Sequence, residues 1–286
     1  MLKAKKTVIL SGASGFTGKN LIKCFDSKEW QILIIKRPSN FNLKLLLPSL
    51  IEIDLKDKAE LRQVLKLSQI SAVIHLATIY DRNESLSLKD NIWEVNYYLG
   101  EHLLEIALHS NAHFVHIESY LQYEVKKRTE YLKSKLGFSE LVEQKKSLNY
   151  ENITSLILFD NYGFGDVRQK ILDKLIRAKQ FSQVLRLEQP SSFILLTFIE
   201  DVTQAIFRAI SESRYGRYRV NSEDKYILGD LAYYIANFPD AKEPPTIKER
   251  VYNAESYPLL DTFIQTKRVV DFLKINLSSE LENGSN

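Results

Sequence analysis

Short runs of apolar, β-forming residues alternate with longer segments of helical period along the first 160 residues. This alternation is typical of strand–helix–strand units, which place parallel strands in one sheet with helices on its faces. The segments between the runs are mostly long enough for a crossover helix. We therefore predict an α/β fold built on a doubly wound parallel sheet. The six predicted strands cover residues 7–11, 31–36, 50–54, 72–76, 113–118 and 153–159.

The second half of the chain has a different character. Its helical stretches are interrupted by prolines at positions 190, 239, 244, 245 and 258, which indicates a less regular lobe. We predict a first domain over residues 1–160 and a smaller, mixed lobe over residues 161–286, with some of its segments returning to the first core. The predicted helices cover residues 96–110, 130–148, 169–180 and 201–211.

The composition excludes several classes of protein. With 286 residues, 44% of them hydrophobic, the chain can bury a core, and 39 Lys and Arg against 36 Asp and Glu leave a charge of +3, too small to indicate nucleic-acid binding. No apolar run approaches the roughly 18 residues that span a bilayer. The single cysteine, Cys24, forms no intramolecular disulfide, and no Cys/His cluster has metal-ligand spacing. We expect no metal, no membrane or nucleic-acid partner, and a reducing cytoplasm, because the basic start leads directly into a strand.

A glycine-rich turn follows the first predicted strand and precedes a helix. Glycines at this point let the backbone turn tightly and approach a pyrophosphate, whose charge the helix N-terminus stabilises. The spacing G-x-x-G-x-x-G is also compatible with a turn that only packs helix on strand. Because strand, turn and helix open a strand–helix–strand unit, we favour a nucleotide site in a Rossmann-type domain. The predicted cofactor contacts here are Gly12, Ser14, Gly15, Phe16, Thr17 and Gly18.

The second predicted strand ends in Lys36 and Arg37. An acidic residue at this point suits the ribose 2′-hydroxyl of NAD, whereas a basic residue suits a 2′-phosphate. We therefore predict a preference for NADP(H), with NAD(H) possible; the alternative is a solvated charged pair after a strand. Asp54 and Leu55, which end the third strand, are expected to border the adenine.

Tyr131 and Lys135 are four residues apart on a predicted helix and therefore lie on the same face. A nearby ammonium and an oxidised nicotinamide lower the pKa of a phenol, so that Tyr131 exchanges a proton with a carbonyl or an alcohol. Ser119 follows the fifth strand, at the edge where ligands of such sheets bind. Alone, a Tyr/Lys pair at this spacing is usually surface packing. The order of glycine turn, serine, tyrosine and lysine favours catalysis.

In this order the motifs resemble the extended short-chain dehydrogenase/reductases, the NAD-dependent epimerase/dehydratase family. The resemblance covers roughly residues 6–275. It implies a catalytic trio of Ser119, Tyr131 and Lys135, and a nucleotide-sugar substrate in the second lobe. It is carried by G-A-S-G-F-T-G (12–18), V-I-H-L-A (73–77), L-L-E-I-A (103–107), Y-L-K-S-K (131–135), D-N-Y-G-F-G-D (160–166) and F-I-E-D-V (198–202). Further cofactor contacts carried over are Leu76, Ala77, Thr78, Asn96, Tyr131, Lys135 and Phe159.

Within this family the chain looks most like 4-ketoreductases of the CDP-abequose and CDP-paratose synthase type, through residues 78–83, 158–166 and 248–253. The Asp-Glu pair that 4,6-dehydratases carry after the catalytic serine or threonine is replaced by Tyr120 and Leu121. Ile194 and Leu195 replace a polar pair of many relatives, so the substrate is not carried over. The candidate substrate contacts are Tyr80, Arg82, Asn83, Ser119, Tyr120, Asp160, Asn161 and Arg168.

The resemblance implies NADPH-dependent reduction of the C4 keto group of a nucleotide-linked 4-keto-6-deoxysugar, in the synthesis of surface-polysaccharide sugars. Two alternatives stay open: a nucleotide-sugar C4 epimerase that retains NAD(P), and a non-catalytic sensor or scaffold that binds NADP(H). Relatives commonly dimerise through two long helices. The resemblance therefore also implies a homodimer, formed through residues 96–110 and 130–148.

Overall fold

The computed structural model of the chain describes residues 5–35, 51–53, 69–80, 86–124, 129–220, 224–249, 251–258, 260 and 268–283. Within these ranges, strands and helices alternate through most of the chain. The strands are β1 (Lys6–Ser11), β2 (Trp30–Ile35), β3 (Ile51–Ile53), β4 (Ile70–His75), β5 (His113–Ser119), β6 (Ile153–Leu158), β7 (Asp160–Tyr162), β8 (Phe193–Phe198), β9 (Gly216–Val220) and β10 (Lys225–Ile227). The helices are α1 (Phe16–Ile22), α2 (Lys89–Trp93), α3 (Leu99–Ser110), α4 (Leu121–Glu124), α5 (Glu130–Ser147), α6 (Ile171–Gln180), α7 (Ile199–Ser211), α8 (Leu228–Ala236) and α9 (Val269–Asn283).

The main sheet contains seven described strands, all parallel, in the order β3-β2-β1-β4-β5-β6-β9. The order reverses between β1 and β4, and ligands of doubly wound sheets bind in the crevice that this reversal opens at the carboxyl ends of the strands. Both faces of the sheet are covered, and the central strands are accordingly almost continuous runs of buried apolar residues. The predicted α/β fold is confirmed.

One face of the sheet packs against α1 and α7, and the other against α3 and α5. The first core includes Val8 and Leu156 of the sheet, with Leu21 and Ile206 of the two helices. The second core includes Ile9, Val73 and Phe114 of the sheet, with Leu103, Phe138 and Val142 of the helices. Because side chains alternate along a strand, neighbouring positions serve opposite cores.

A second sheet of three described strands lies in the other lobe. In it β7 and β8 are parallel, while β8 and β10 are antiparallel. It packs on α6, α8 and α9 through a separate core that contains Tyr162, Phe198 and Phe272. The buried carboxylate of Asp224 accepts hydrogen bonds from Tyr226 Oη at 2.8 Å and from the backbone N–H of Val269 at 2.7 Å, and so ties the C-terminal helix to this sheet.

The six predicted strands are all present, with ends shifted by at most two residues. The strand β9 was not predicted, because its sequence G-R-Y-R-V carries two arginines and has no apolar run. It joins the main sheet through β6, and α7 covers the same sheet, so segments after residue 160 return to the first core. The predicted division of the chain into two domains at residue 160 stays a prediction.

Candidate active site

The glycine turn between β1 and α1 leaves no room for side chains. Gly12 has φ +74°, and a Cβ there would lie 2.6 Å from the backbone nitrogen of Ala77. A Cβ on Gly18 would lie 2.2 Å from the carbonyl oxygen of Gly12. In the described residues no side chain caps the first turn of α1, which begins after Gly15, so no side chain there accepts a hydrogen bond from its first N–H groups. This turn, at the carboxyl edge of the sheet, fits a dinucleotide pyrophosphate.

The turn is fastened to the end of β4. Ser11 Oγ lies 2.8 Å from Nδ1 of His75 and accepts a hydrogen bond of 3.2 Å from the backbone N–H of Ala77. Burial and the charge of Lys135 lower the pKa of His75 to about 3, so its imidazole is neutral at pH 7. The predicted contacts Leu76, Ala77 and Thr78 therefore begin at the point where β4 meets the glycine turn.

Tyr131 and Lys135 lie one turn apart on the face of α5 that covers the sheet. Thr129 sets the start of this helix, because its Oγ1 accepts a hydrogen bond of 3.3 Å from the backbone N–H of Leu132. The hydroxyl of Ser119, at the end of β5, is close enough to Tyr131 to lower the pKa of its phenol. Lys135 is 4% exposed, and its Nζ donates a hydrogen bond to the carbonyl oxygen of Ile117. The structure thus brings the three predicted catalytic residues together.

The ionisation of this cluster follows from its burial. Burial raises the pKa of Tyr131 to about 12, although the Ser119 hydroxyl opposes the shift. Burial lowers the pKa of Lys135 to about 8, and the negative charge of Glu118 opposes that shift. At pH 7 the phenol is therefore protonated and the ammonium charged. The expected lowering of the tyrosine pKa is not seen in this structure, because loss of hydration outweighs the effect of Ser119 and the charge of Asp160 raises the pKa further.

Asn96 fastens the segment after β4 to α5. It lies in the π-helical turn Glu94–Tyr98 and is fully buried. Its Oδ1 accepts hydrogen bonds from the N–H of Ile79 at 2.7 Å and from Thr78 Oγ1 at 3.1 Å, and its Nδ2 donates to Ser134 Oγ at 3.1 Å. A π-turn widens the helix locally and is common at functional sites. Asn96 is thus placed to orient the strand end and the helix that carries Tyr131.

Aromatic rings lie beside Ser119 and Tyr131. Tyr120 stacks on Phe159 with ring centroids 5.1 Å apart, and its hydroxyl donates a hydrogen bond of 3.0 Å to Asp160. Lys170 Nζ lies 3.5 Å from the same carboxylate. Burial, followed by the charge of Asp160, raises the pKa of Tyr120, so this phenol stays neutral. Tyr80, 58% exposed, sets its ring edge-on to Tyr131 at 4.9 Å.

Asn161 and Arg168 connect the second lobe to the start of α1. Asn161 Nδ2 donates a hydrogen bond of 3.3 Å to Thr17 Oγ1, and the Arg168 guanidinium lies 4.4 Å from the centre of the Phe16 ring. Arg168 also donates to Asp166 at 2.6 and 2.7 Å and to Asn161 Oδ1 at 2.9 Å. These bonds link the glycine turn to the lobe expected to hold the substrate. Their role as substrate contacts stays a prediction.

A cleft of about 340 Å³ opens in the second lobe beside Asp160. It runs between the segment after β7, the helix α6 and the C-terminal helix α9. Charged, polar and aromatic side chains share its wall. Its lining includes Asp160, Asn161, Phe164, Lys170, Arg177 and Phe272.

Several predicted contacts fall outside the described residues: Lys36, Arg37, Asp54, Leu55, Arg82 and Asn83. Gln122 was not predicted from the sequence. Its Oε1 accepts a hydrogen bond of 3.2 Å from the N–H of Ser119, and its Nε2 donates to Ser139 of α5 at 2.9 Å. Glu118 and Lys170 were not predicted either. No local pattern identifies these residues, because their partners lie on other elements.

The helices in the described part of the chain are all too short or too polar to span a bilayer.

The doubly wound sheet, the glycine turn and the clustered Ser119, Tyr131 and Lys135 together define an extended short-chain dehydrogenase/reductase architecture. The chain belongs to the NAD dependent epimerase/dehydratase family, whose model matches residues 8–221. The resemblance found in the sequence is thereby confirmed.

Characterised relatives share this architecture. The CDP-abequose synthase of Salmonella typhimurium is 27% identical over 247 residues, which cover 82% of this chain and 81% of that protein. The CDP-abequose synthase of Yersinia pseudotuberculosis is 26% identical and covers 74% of this chain and 75% of its own length. The dTDP-glucose 4,6-dehydratase of Bacillus anthracis in complex with NAD superposes with a TM-score of 0.74 at 13% identity, over 97% of each chain. The UDP-glucose 4-epimerase of Thermotoga maritima with UDP-glucose gives 0.72 at 14% identity, over 97% of this chain and 99% of that one.

Proposed function

We propose that this chain is a cytoplasmic NADPH-dependent reductase of the C4 keto group of a nucleotide-linked 4-keto-6-deoxysugar. The observation that carries the proposal is the cluster of Ser119, Tyr131 and Lys135 at the carboxyl edge of the sheet, beside the glycine turn. It combines a protonated phenol with a charged ammonium at pH 7. The names of the relatives from Salmonella and Yersinia support a nucleotide-sugar substrate.

The glycine turn and the end of β4 are the proposed dinucleotide site. Gly12, Gly15 and Gly18 are expected to let the backbone approach the pyrophosphate, and Lys135 is the residue expected to hold the ribose. When bound, the reduced nicotinamide supplies the hydride that adds to C4. The preference for the 2′-phosphate rests on Lys36 and Arg37, because an arginine binds a phosphate in a bidentate manner and gains little from a hydroxyl.

Tyr131 is the proposed proton donor in this reaction. Its hydroxyl proton passes to the C4 carbonyl oxygen as that carbon is reduced, which leaves a phenolate on Tyr131 and an alcohol on the sugar. A raised pKa suits this direction, because the phenol must begin protonated. Ser119 donates a hydrogen bond to the same oxygen, and the charge of Lys135 stabilises the phenolate that forms.

The residues after Ser119 favour reduction over elimination of water. A 4,6-dehydratase needs an acid and a base at the two positions that follow the catalytic serine or threonine. Here Tyr120 uses its hydroxyl to bind Asp160, and its pKa is raised, while Leu121 has no titratable group. The aromatic pair of Tyr120 and Phe159 instead forms an apolar wall at this edge.

The cleft beside Asp160 is the proposed sugar-nucleotide site. Asp160 and Lys170 form an ion pair at its mouth and suit the hydroxyls of a sugar and the charge of a diphosphate, respectively. Arg177 and Phe164 add a further cation and an apolar surface in the same wall.

The decisive experiment follows the absorbance of NADPH and of NADH, separately, with CDP-, dTDP- and GDP-linked 4-keto-6-deoxysugars. We expect one NADPH to be consumed per product. In Tyr131→Phe the rate of this consumption should fall by about 10²–10⁴-fold, because a general acid contributes a factor of this size. Tyr233→Phe is the matched control, since Tyr233 is exposed on α8. Unchanged turnover in Tyr131→Phe contradicts the assignment.

Two further outcomes separate the alternatives. Conversion of the sugar at C4 without net loss of NADPH identifies an epimerase that retains its cofactor. Binding of NADP(H) without conversion of any sugar identifies a sensor or scaffold. In Arg37→Asp, affinity for NADPH should fall more than affinity for NADH, and equal losses would refute the 2′-phosphate role of Arg37.

We also propose a homodimer through the helices of residues 96–110 and 130–148. Beside them the ring of Tyr98 is 47% exposed at the start of α3, and Tyr97 lies close to Gly137 on α5, so apolar surface reaches the outer side of this helix pair. Analytical ultracentrifugation of the wild type and of Tyr98→Lys tests it. A monomeric wild type contradicts the proposal.

A further inference from the structure

Glu118 is a carboxylate buried in the middle of the fold. It lies on β5 between Ile117 and Ser119, and its side chain is 0% exposed. A carboxylate without partners is costly to bury. Here Arg217 of β9 donates a hydrogen bond from Nη2 to Glu118 Oε1 at 2.9 Å, and Tyr123 of α4 donates another to Oε2. The charge is therefore compensated by residues from two other elements.

This carboxylate belongs to the residue that follows the hydrogen-bond acceptor of Lys135 on β5. The Nζ of Lys135 donates a hydrogen bond to the carbonyl oxygen of Ile117, which belongs to the peptide bond immediately before Glu118. The Glu118 carboxylate also raises the pKa of Lys135 against the effect of burial. Lys135 of α5 thus contacts β5 at the peptide bond next to the buried acid.

Apart from the Arg217 guanidinium that is paired with Glu118, the other titratable groups around Lys135 are uncharged. His75 of β4 and His116 of β5 face it from the sheet, and burial lowers the pKa of His75 to about 3 and that of His116 well below its ordinary value. Tyr131, on the same helix, is protonated at pH 7 because burial raises its pKa. Among the described residues, Glu118 is the anion whose field acts on Lys135.

We propose that Glu118 is a positioning residue of this site: held by Arg217 and Tyr123, its carboxylate keeps the Lys135 ammonium charged and at its hydrogen bond with the Ile117 carbonyl. A negative charge at close range in a poorly hydrated site stabilises a cation far more than the same charge does in water. The consequence for catalysis rests on the proposed reductase function. The electrostatic effect on Lys135 does not.

A purely structural role for Glu118 makes a different prediction. In that case the carboxylate only fastens β9 to the sheet through Arg217, and its loss lowers stability without altering Lys135. Arg217 also lies 3.2 Å from Glu143 Oε1 on α5. Glu143→Gln is therefore a matched control, since it removes a carboxylate from the same arginine at a partly exposed position.

The test is a pH titration of the lysine Cε resonances by ¹³C NMR, with Lys135 assigned by its absence in Lys135→Met. We expect the Lys135 transition, near pH 8 in the wild type, to fall by about one pH unit or more in Glu118→Gln, because a close opposite charge shifts a pKa by roughly one to three units. In Glu143→Gln it should stay in place. An unchanged Lys135 transition in folded Glu118→Gln overturns the proposal.

The double variant Glu118→Gln/Arg217→Gln keeps the test decisive if the single variant does not fold, because it removes Glu118 together with the guanidinium that pairs with it. Since loss of Arg217 by itself acts on Lys135 in the opposite direction, the double variant is compared with Arg217→Gln: its Lys135 transition should be lower, and equal transitions overturn the proposal. The alkaline limb of turnover is the second measurement and should move with the NMR transition. A shifted transition without any sugar reduction refutes the proposed function alone, whereas sugar reduction with an unshifted transition refutes only the role of Glu118.

Discussion

The two faces of the main sheet are both buried but differ in chemistry. The face toward α1 and α7 is apolar at most of its buried positions, as at Val8, Val115 and Leu156, and its buried polar pair of His113 and Thr154 lies near the amino ends of β5 and β6. The face toward α3 and α5 begins with residues such as Ile9 and Phe114 and becomes polar toward the carboxyl ends of the strands. One row on it crosses four neighbouring strands: His75, His116, Ser155 and Arg217 are paired in register.

This difference separates stability from chemistry within one sheet. Burying polar groups costs free energy unless they are hydrogen-bonded, and burying charges costs more. The polar row lies beside Lys135 and Ser119, where the proposed reaction needs charge and proton donors. The face toward α1 and α7 buries few polar groups and lies away from this row, so we expect substitutions on the two faces to affect different properties.

The largest effect on stability is expected on the apolar face. Leu156→Ala removes a fully buried side chain and should lower the free energy of unfolding by about 2–5 kcal/mol, because the transfer free energy is lost and a cavity remains. Turnover per folded molecule should not change. Chemical denaturation and the NADPH assay measure the two quantities. Leu148→Ala, at a side chain that is 70% exposed, is the control and should stay within about 0.5 kcal/mol.

On the polar face, stability and activity should move in opposite directions. A pKa of about 8 for Lys135 instead of 10.5 means that folding loses roughly 3 kcal/mol by keeping this lysine charged at pH 7. Lys135→Met should therefore leave the free energy of unfolding unchanged or raise it by up to that amount, while turnover falls by about 10²-fold or more. The exposed Lys133→Met is the control. A large loss of stability in Lys135→Met would remove the contrast between the faces.

The buried histidines of the main sheet predict a loss of stability in acid. Burial lowers the pKa of His113 to about 4, so between pH 6.5 and 4 the unfolded chain binds a proton that the native chain does not. Stability conferred above pH 6.5 is then lost as pH falls, by about 1.4 kcal/mol per pH unit for each such histidine. Denaturation curves at pH 7, 6 and 5 should show a shallower dependence in His113→Gln. The same slope in His113→Gln and wild type contradicts this, and the exposed His109→Gln should keep the wild-type slope.

The smallest effect is expected on the outer side of α5, away from the polar row. A Cβ on Gly137 would lie 3.6 Å from the ring of Tyr97, an ordinary contact. Gly137→Ala should therefore raise the free energy of unfolding by up to about 1 kcal/mol through helix propensity alone. Gly18→Ala makes the contrast, because its Cβ would lie 2.2 Å from Gly12 O and should disrupt the turn and nucleotide binding. A destabilised Gly137→Ala variant would show that this side of the helix is more tightly packed than the structure indicates.

The three candidate catalytic residues could be named from the sequence because each follows a local rule. Tyr131 and Lys135 share a helix face through their spacing, and Ser119 ends a strand whose apolar run is plain in the sequence. The glycine turn was predictable for the same reason, since three glycines between a strand and a helix have few other uses. The partners of these residues were not predictable: Gln122 contacts Ser119 and Ser139, and only the packing of α5 on β5 brings the three together.

The amino-acid sequence by itself determined the alternation of strands and helices, the parallel sheet, the glycine turn and the order of the chemical groups along the chain, because all of these depend on the spacing of neighbouring residues. Only the tertiary structure decided that β9 joins the sheet and carries Arg217 to the buried Glu118, and that burial raises the pKa of Tyr131. Those facts depend on contacts across about one hundred residues of chain and on the removal of water. No local pattern in the sequence encodes either.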